Sequence, residues 1–220
     1  EVPSRALSQI LNPIVAKAIN NNDWKEVAVL YKKSAINLFI VAGLFFLLVN
    51  INMDHLYELI PDPSYQTGIW VVLMISFAKL FSMIFGCGTA IITNAPFYKI
   101  SLFFSIAMAF SVILLNYLWI PRFGIHGAAL ATLVVVVFFT IVKIGYLFYQ
   151  LKITPFSINM LKVALLILFM TWVGLSIDIE GHPLVLIFLN SLIISLVYGL
   201  AVYVLRLSDS LARLANRLIR

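Results

Sequence analysis

Lys79 is the residue whose setting points most directly to chemistry. It falls near the middle of an apolar run from Thr67 to Thr93. At such depth a cation costs about 2.5–3.5 kcal/mol on insertion scales, so it faces a bundle interior or a water-filled cavity. Helical spacing puts Ser76, Met83 and Gly86 on its stripe, with Ser82 close by. The functional reading is a cavity-facing cation that attracts an anionic ligand group. The alternative is a structural role, with the ammonium capping helix carbonyls or paired inside the bundle.

Two runs of small residues stand near it in kind. They are Gly86-Cys87-Gly88-Thr89-Ala90 and Gly124-Ile125-His126-Gly127-Ala128-Ala129. In a bilayer, small residues let helix backbones approach closely, so both runs are read as packing surfaces. Hinges for a moving lobe, at Gly86, Gly88, Gly124 and Gly127, are the other reading. Asn94, Asn116 and Asn190 lie in or beside apolar runs and are expected to bond between helices. The three histidines have no metal-site spacing and no companion cysteine. The sequence holds no nucleophile elbow, no phosphate-binding loop and no His-Glu-x-x-His. No catalytic residue, metal ligand or cofactor is therefore assigned, and the chain is not read as an enzyme.

The elements that must carry these residues are membrane spans. Hydrophobic residues make up 63% of the chain and charged residues 11%, against roughly half and a quarter in a soluble domain. Six runs approach the ~20 apolar residues that a span needs: Ser34–Ile51, Thr67–Thr93, Ile100–Ile120, Ile125–Tyr149, Ile158–Ile177 and Pro183–Leu205. Asp23-x-x-Glu26 resembles a capping box, so the first of these helices is expected to begin near Trp24. None of the six contains Asp or Glu, which leaves no carboxylate relay for ion coupling within them.

The charges orient the spans. Of 15 Lys and Arg residues, most fall in alternate gaps, near Arg5, Lys17, Lys25, Lys32, Lys33, Lys99, Lys152 and Arg206 through Arg220. The other gaps carry Asp54, Glu58, Asp62, Asp178 and Glu180, with Arg122 the one cation among them. This asymmetry puts the cation-rich gaps and the C-terminus in the cytoplasm. Lys143 and Lys162 lie near cytoplasmic ends and are expected to snorkel to the headgroups. A net charge of +6 does not imply nucleic acid, because the cations form no face interleaved with aromatics. Residues 1–20 read as the cytoplasmic end of a helix that starts earlier, kinked at Pro13. Residues 21–205 form the six-helix unit, and 206–220 a basic amphipathic tail lying in the interface.

Several stretches together resemble the bacterial oligosaccharide flippases of the polysaccharide-exporter superfamily, in the variety common in Bacteroidetes. They are Asn12-Pro13-Ile14-Val15-Ala16, Asn22-Asp23-Trp24-Lys25-Glu26, Leu30-Tyr31-Lys32-Lys33-Ser34, Lys79-Leu80, Gly86 to Ile92, Tyr98-Lys99, and Asn116-Tyr117 through Gly124-Ile125-His126-Gly127-Ala128-Ala129. The resemblance implies an all-α integral membrane protein with two six-helix lobes around a central cavity. This chain would be most of the second lobe, with the N-terminal lobe lying outside it, in the bacterial inner membrane. The implied substrate is a polyprenyl-pyrophosphate-linked oligosaccharide, moved between leaflets for surface polysaccharide synthesis. Lys79 and Arg5 would then draw its diphosphate, with Ser76 and Ser82 beside them in the cavity. Two other functions remain open at this stage: a cation-coupled multidrug antiporter of the same superfamily, and an integral-membrane polysaccharide polymerase or ligase.

Overall fold

The computed structural model describes residues 2–60, 68–176 and 181–208, with the side chains of residues 2–4, 6 and 7 left out. The described residues form eight α-helices and no strand: α1 (Val2–Asn20), α2 (Trp24–Ile51), α3 (Met53–Glu58), α4 (Ile69–Met83), α5 (Gly88–Asn94), α6 (Lys99–Leu151), α7 (Ile158–Leu175) and α8 (Pro183–Val204). The expected turn at Pro61-Asp62-Pro63-Ser64 and most of the amphipathic tail lie outside the described residues.

Helix α1 runs through Pro13, which is exposed, and buries Val15, Ala18 and Ile19. Its end is set by backbone geometry. Asn22 takes φ 56°, and the N–H groups of Asn22 and Asp23 reach back to the carbonyls of Ile19 and Ala18, each at 2.9 Å. This pair of bonds is a Schellman closure, with Asn in the left-handed position. The next residue starts a new helix: Asp23 Oδ1 accepts from Glu26 N–H at 2.9 Å, which satisfies one orphan donor of α2. Three residues thus stop one helix and start the next.

Helix α2 is the central post. It packs against α1, α4, α7 and α8. At Gly43 a side chain would collide with Ile167 Cδ1 at 2.4 Å and Tyr198 Oη at 2.8 Å, so this glycine is where α7 and α8 close on α2. Further along α2, Asn50 Nδ2 donates to Ser76 Oγ of α4 at 3.0 Å and Asn52 Nδ2 to Ser191 Oγ of α8 at 3.3 Å. Both also bond back to α2 carbonyls, of Phe46 and Leu48, whereas Asn94 makes only the bond back, to the carbonyl of Ala90 at 2.8 Å. The interhelical amides are therefore Asn50 and Asn52, and Asn94 is corrected to a local role.

Helix α6 is a hairpin. Its 53 residues would extend about 80 Å if straight. Yet the rings of Phe104 and Tyr146 lie 5.7 Å apart, where a straight helix would separate residues so far apart in sequence by about 60 Å. The reversal sits at Gly124, with φ 56° and ψ −134°. Beside it Gly127 would meet the Trp119 carbonyl oxygen at 2.4 Å if it carried a Cβ. Two limbs, 99–123 and 125–151, therefore run antiparallel in close contact.

Among the described residues four helices are long and apolar enough to cross a membrane, α2, α6, α7 and α8, or five if the bent pair α4–α5 is one span. Outward-facing residues on them are large and apolar, among them Leu102, Phe103, Ile106, Phe110, Leu161, Leu165, Leu168, Leu196 and Leu200. Faces of that size are not left to water. The chain is a multi-pass membrane protein. Lys32, Lys33, Ser157, Asn159 and Ser208 line one hollow, so the starts of α2 and α7 and the end of α8 meet at one end of the bundle. The Phe97–Tyr146 ring contact, 5.4 Å between centroids, brings both ends of the α6 hairpin together as well.

Candidate functional site

The apolar run from Thr67 to Thr93 is not one helix but a bent pair. Helices α4 and α5 meet at 53° across a short connection, Ile84 to Cys87. Its backbone is satisfied group by group. The N–H groups of Ile84, Phe85, Gly86 and Gly88 each bond three residues back, at 2.9–3.2 Å. Cys87 N–H donates instead to Ser34 Oγ of α2 at 2.9 Å. Irregular backbone at membrane depth survives only where protein or a cavity supplies such partners. Ser34 is itself aimed by donating to the carbonyl of Tyr31 at 3.0 Å.

Gly86 makes the break. Its φ is +53°, and a Cβ would sit 2.7 Å from both Ser34 Oγ and Ala35 N. Only a residue without a side chain fits both the left-handed turn and the approach of α2. Gly88 has a different role: a Cβ there would lie 2.5 Å from the Phe85 ring. That ring is the knot of the site. Tyr31 meets it edge-on, centroids 6.2 Å apart, and Lys143 Nζ from the second limb of α6 lies 5.9 Å from its centroid. Lys143, partly buried, is thus turned to an aromatic face. Tyr31 is fully buried, and its hydroxyl has no hydrogen-bond partner among the described residues.

Beside the break is a hollow of about 250 Å³. Ser8 and Asn12 of α1, Gly86 and Cys87 of the break, and Thr89 and Thr93 of α5 contribute its polar lining. Hydroxyls and amides without charge are suited to a ligand rich in hydroxyl groups. Thr93 Oγ1 donates to the carbonyl of Thr89 at 3.0 Å, which leaves its oxygen able to accept.

The expected site residues are only partly gathered here. Gly86 lines the hollow, and Gly88 stands at the break. Arg5 is exposed on α1, three residues before Ser8 and seven before Asn12, a spacing that places it on their side of the helix. Lys79 is exposed on α4 about two turns before the break and is not among the lining residues. Its stripe neighbours are committed to the protein. Ser76 Oγ accepts from Asn50 and donates to the carbonyl of Leu73 at 3.0 Å, and Ser82 Oγ donates to the carbonyl of Lys79 at 2.7 Å. Gly124 and Gly127 belong to the α6 turn. In the sequence Thr89 stands only within the small-residue run Gly86 to Ala90, and neither Ser34 nor Thr93 has an assigned role. Ser34 directly follows Lys32-Lys33 and reads there as a residue of the span's polar edge.

Comparison with protein-family models, with curated proteins and with solved structures returns no match.

Proposed function

We propose that this chain is one lobe of a bacterial inner-membrane transporter that moves a polyprenyl-pyrophosphate-linked oligosaccharide to the outer leaflet by alternating access. The observation that carries the reading is the broken span α4–α5 lining a polar hollow. Transporters build ligand sites from discontinuous helices, because a break exposes polar backbone where a ligand can use it. Uncharged hydroxyl and amide groups suit the sugar portion. Lys79 and Arg5 supply cations for the diphosphate, Lys acting as a point charge and Arg as a fork. Translocation breaks no bond, so the reading is non-enzymatic.

In this reading the two limbs of α6 each cross the membrane. With α2, α4–α5, α7 and α8 they make six crossings, and the cation-rich end is cytoplasmic. A second lobe and the surrounding lipids are the partners, and rocking of the lobes exposes the hollow to alternate sides. The resemblance of residues 5–156 to oligosaccharide flippases supports the same cargo.

The test is surface polysaccharide export in cells carrying Lys79→Ala, Lys79→Arg or Thr89→Val/Thr93→Val in the protein as its host makes it. Loss of a charge-assisted contact of about 1.5–3 kcal/mol predicts at least about a tenfold fall for Lys79→Ala, with partial rescue by arginine. Unchanged export in all three variants, accompanied by extrusion of cationic dyes, would replace this reading with a drug antiporter.

A further inference from the structure

A second hollow, of about 160 Å³, opens at the cation-rich end of the bundle. Three segments far apart in sequence build it: Lys32, Lys33 and Asn37 on α2, Ser157 and Asn159 at the start of α7, and Ser208 beyond α8. Their polar groups are arranged to donate. Ser208 Oγ donates to Asn37 Oδ1 at 2.5 Å, which fixes the amide so that its NH₂ points elsewhere. Ser157 Oγ accepts from the N–H of Met160 at 3.3 Å, so its own proton is available to another acceptor. Asn159 Nδ2 spends one donor on the carbonyl of Leu207 at 3.4 Å and has a second. Among the described residues no Asp or Glu lines the hollow, while two lysines do.

The architecture is built around this point. Arg206 takes φ 47°, and the N–H groups of Arg206 and Leu207 return to the carbonyls of Tyr203 and Val202, both at 3.1 Å. This closure ends α8 and turns the chain back over α2. Leu207 is buried at 1% exposure, and Ser208 at 6%. The turn thus contributes one side of the hollow, at Leu207 and Ser208.

We infer that this hollow is a phosphate-binding site at the membrane interface, in which Lys32 and Lys33 supply the charge and Asn37, Ser157 and Asn159 the directed hydrogen bonds. At roughly 30 Å³ per water, its volume holds about five waters, which is room for one phosphate group and its ester linkage. Lysines with amide and hydroxyl donors favour an anion, and Lys binds phosphate as a point charge. The phosphate comes either from an anionic lipid headgroup or from a soluble phosphate ester. The inference rests on the cation-rich end facing the headgroups and not on the identity of the cargo. Lys32 and Lys33 take no part in the hollow beside α5, so failure here leaves the transport reading untouched.

The test uses the purified protein in neutral detergent, titrated with short-chain phosphatidylglycerol, short-chain phosphatidylcholine, glycerol phosphate and inorganic phosphate. Binding is read from the rise in thermal midpoint, because a ligand of the folded state stabilises it in proportion to occupancy. Phosphatidylglycerol is expected to bind at least about tenfold tighter than phosphatidylcholine. An interfacial lysine is worth about fivefold in anionic-lipid affinity, so Lys32→Gln/Lys33→Gln should weaken binding by roughly 25-fold. Lys25→Gln removes a charge from α2 outside the hollow and should change affinity less than twofold. Asn37→Ala, which leaves the charges in place, should also weaken binding. If glycerol phosphate or inorganic phosphate matches the lipid, the source is soluble and the site stands. Equal binding of the two lipids together with no binding of either soluble phosphate overturns the inference. So does an equal loss per charge in Lys25→Gln, or an unchanged affinity in the double variant.

Discussion

Two places in this bundle interrupt a helix with a glycine at positive φ, and they do it in opposite surroundings. At the α4–α5 break, Gly86 (φ +53°) is pressed against α2, with Ser34 Oγ and Ala35 N where its Cβ would be. At the α6 turn, Gly124 (φ +56°) has nothing within 4 Å of that position. The crowding there falls on Gly127 instead, against the carbonyl of Trp119. A turn at the end of a bundle has water or headgroups to satisfy its backbone. A break inside the bundle has only protein, and here the partner is one serine hydroxyl. The first interruption therefore combines conformation and contact at a single residue, and the second divides them between two.

Substitutions separate these contributions. Gly86→Ala meets both a left-handed backbone penalty and a backbone collision, and should destabilise the protein by about 2–5 kcal/mol. Gly127→Ala meets only the collision, for about 1–3 kcal/mol. Gly124→Ala meets only the backbone penalty, at φ 56° and ψ −134°, for about 1–3 kcal/mol. Denaturation in mixed micelles would rank the three. A ranking with Gly124→Ala at the top would mean that conformation outweighs contact in both interruptions.

Ser34→Ala sharpens the comparison. It leaves the buried N–H of Cys87 without an acceptor and should cost about 1–3 kcal/mol. Combined with Gly86→Ala the effects should sum to less than the two single values, because Ser34 Oγ is one of the atoms that a Cβ at residue 86 would strike. Full additivity would remove Ser34 from the account of the break. Hydrogen exchange at the Cys87 amide gives an independent readout, with faster exchange expected in Ser34→Ala.

The two interruptions also differ in how far the sequence reveals them. The α6 turn is legible because Pro121-Arg122-Phe123-Gly124 separates two runs of span length. The start of α2 is legible for a similarly local reason: Asp23 lies three residues before the N–H it caps. The α4–α5 break is legible only in part: Gly86 and Gly88 mark a candidate hinge, but apolar residues continue through it and its acceptor, Ser34, lies 53 positions away. The site suffers from the same limit. Lys79 stands out in the sequence as a cation in an apolar run, whereas Thr89 and Thr93 look like ordinary span residues until α1 brings Ser8 and Asn12 beside them. Nor does sequence distinguish an amide that bonds back to its own helix and also bridges to another, as Asn50 does, from one that only bonds back, as Asn94 does. That distinction depends on what stands opposite.

The smallest expected effects come from two buried tyrosines, one at the break and one remote from it. Tyr198 Oη donates to the carbonyl of Ile40 at 3.0 Å and so ties α8 to α2. Tyr198→Phe removes that bond and should cost about 1 kcal/mol. Tyr31→Phe removes a buried hydroxyl that has no partner among the described residues. Desolvation of that hydroxyl is uncompensated, so its removal should leave stability unchanged or raise it by up to about 1 kcal/mol. Edge-on contact with Phe85 needs only the ring and is retained. If Tyr31→Phe instead lowers transport at unchanged stability, the hydroxyl serves the hollow beside the break and finds its acceptor in the ligand-bound state. Polar reserve of this kind would then separate the packed interruption from the open one more sharply than sterics do.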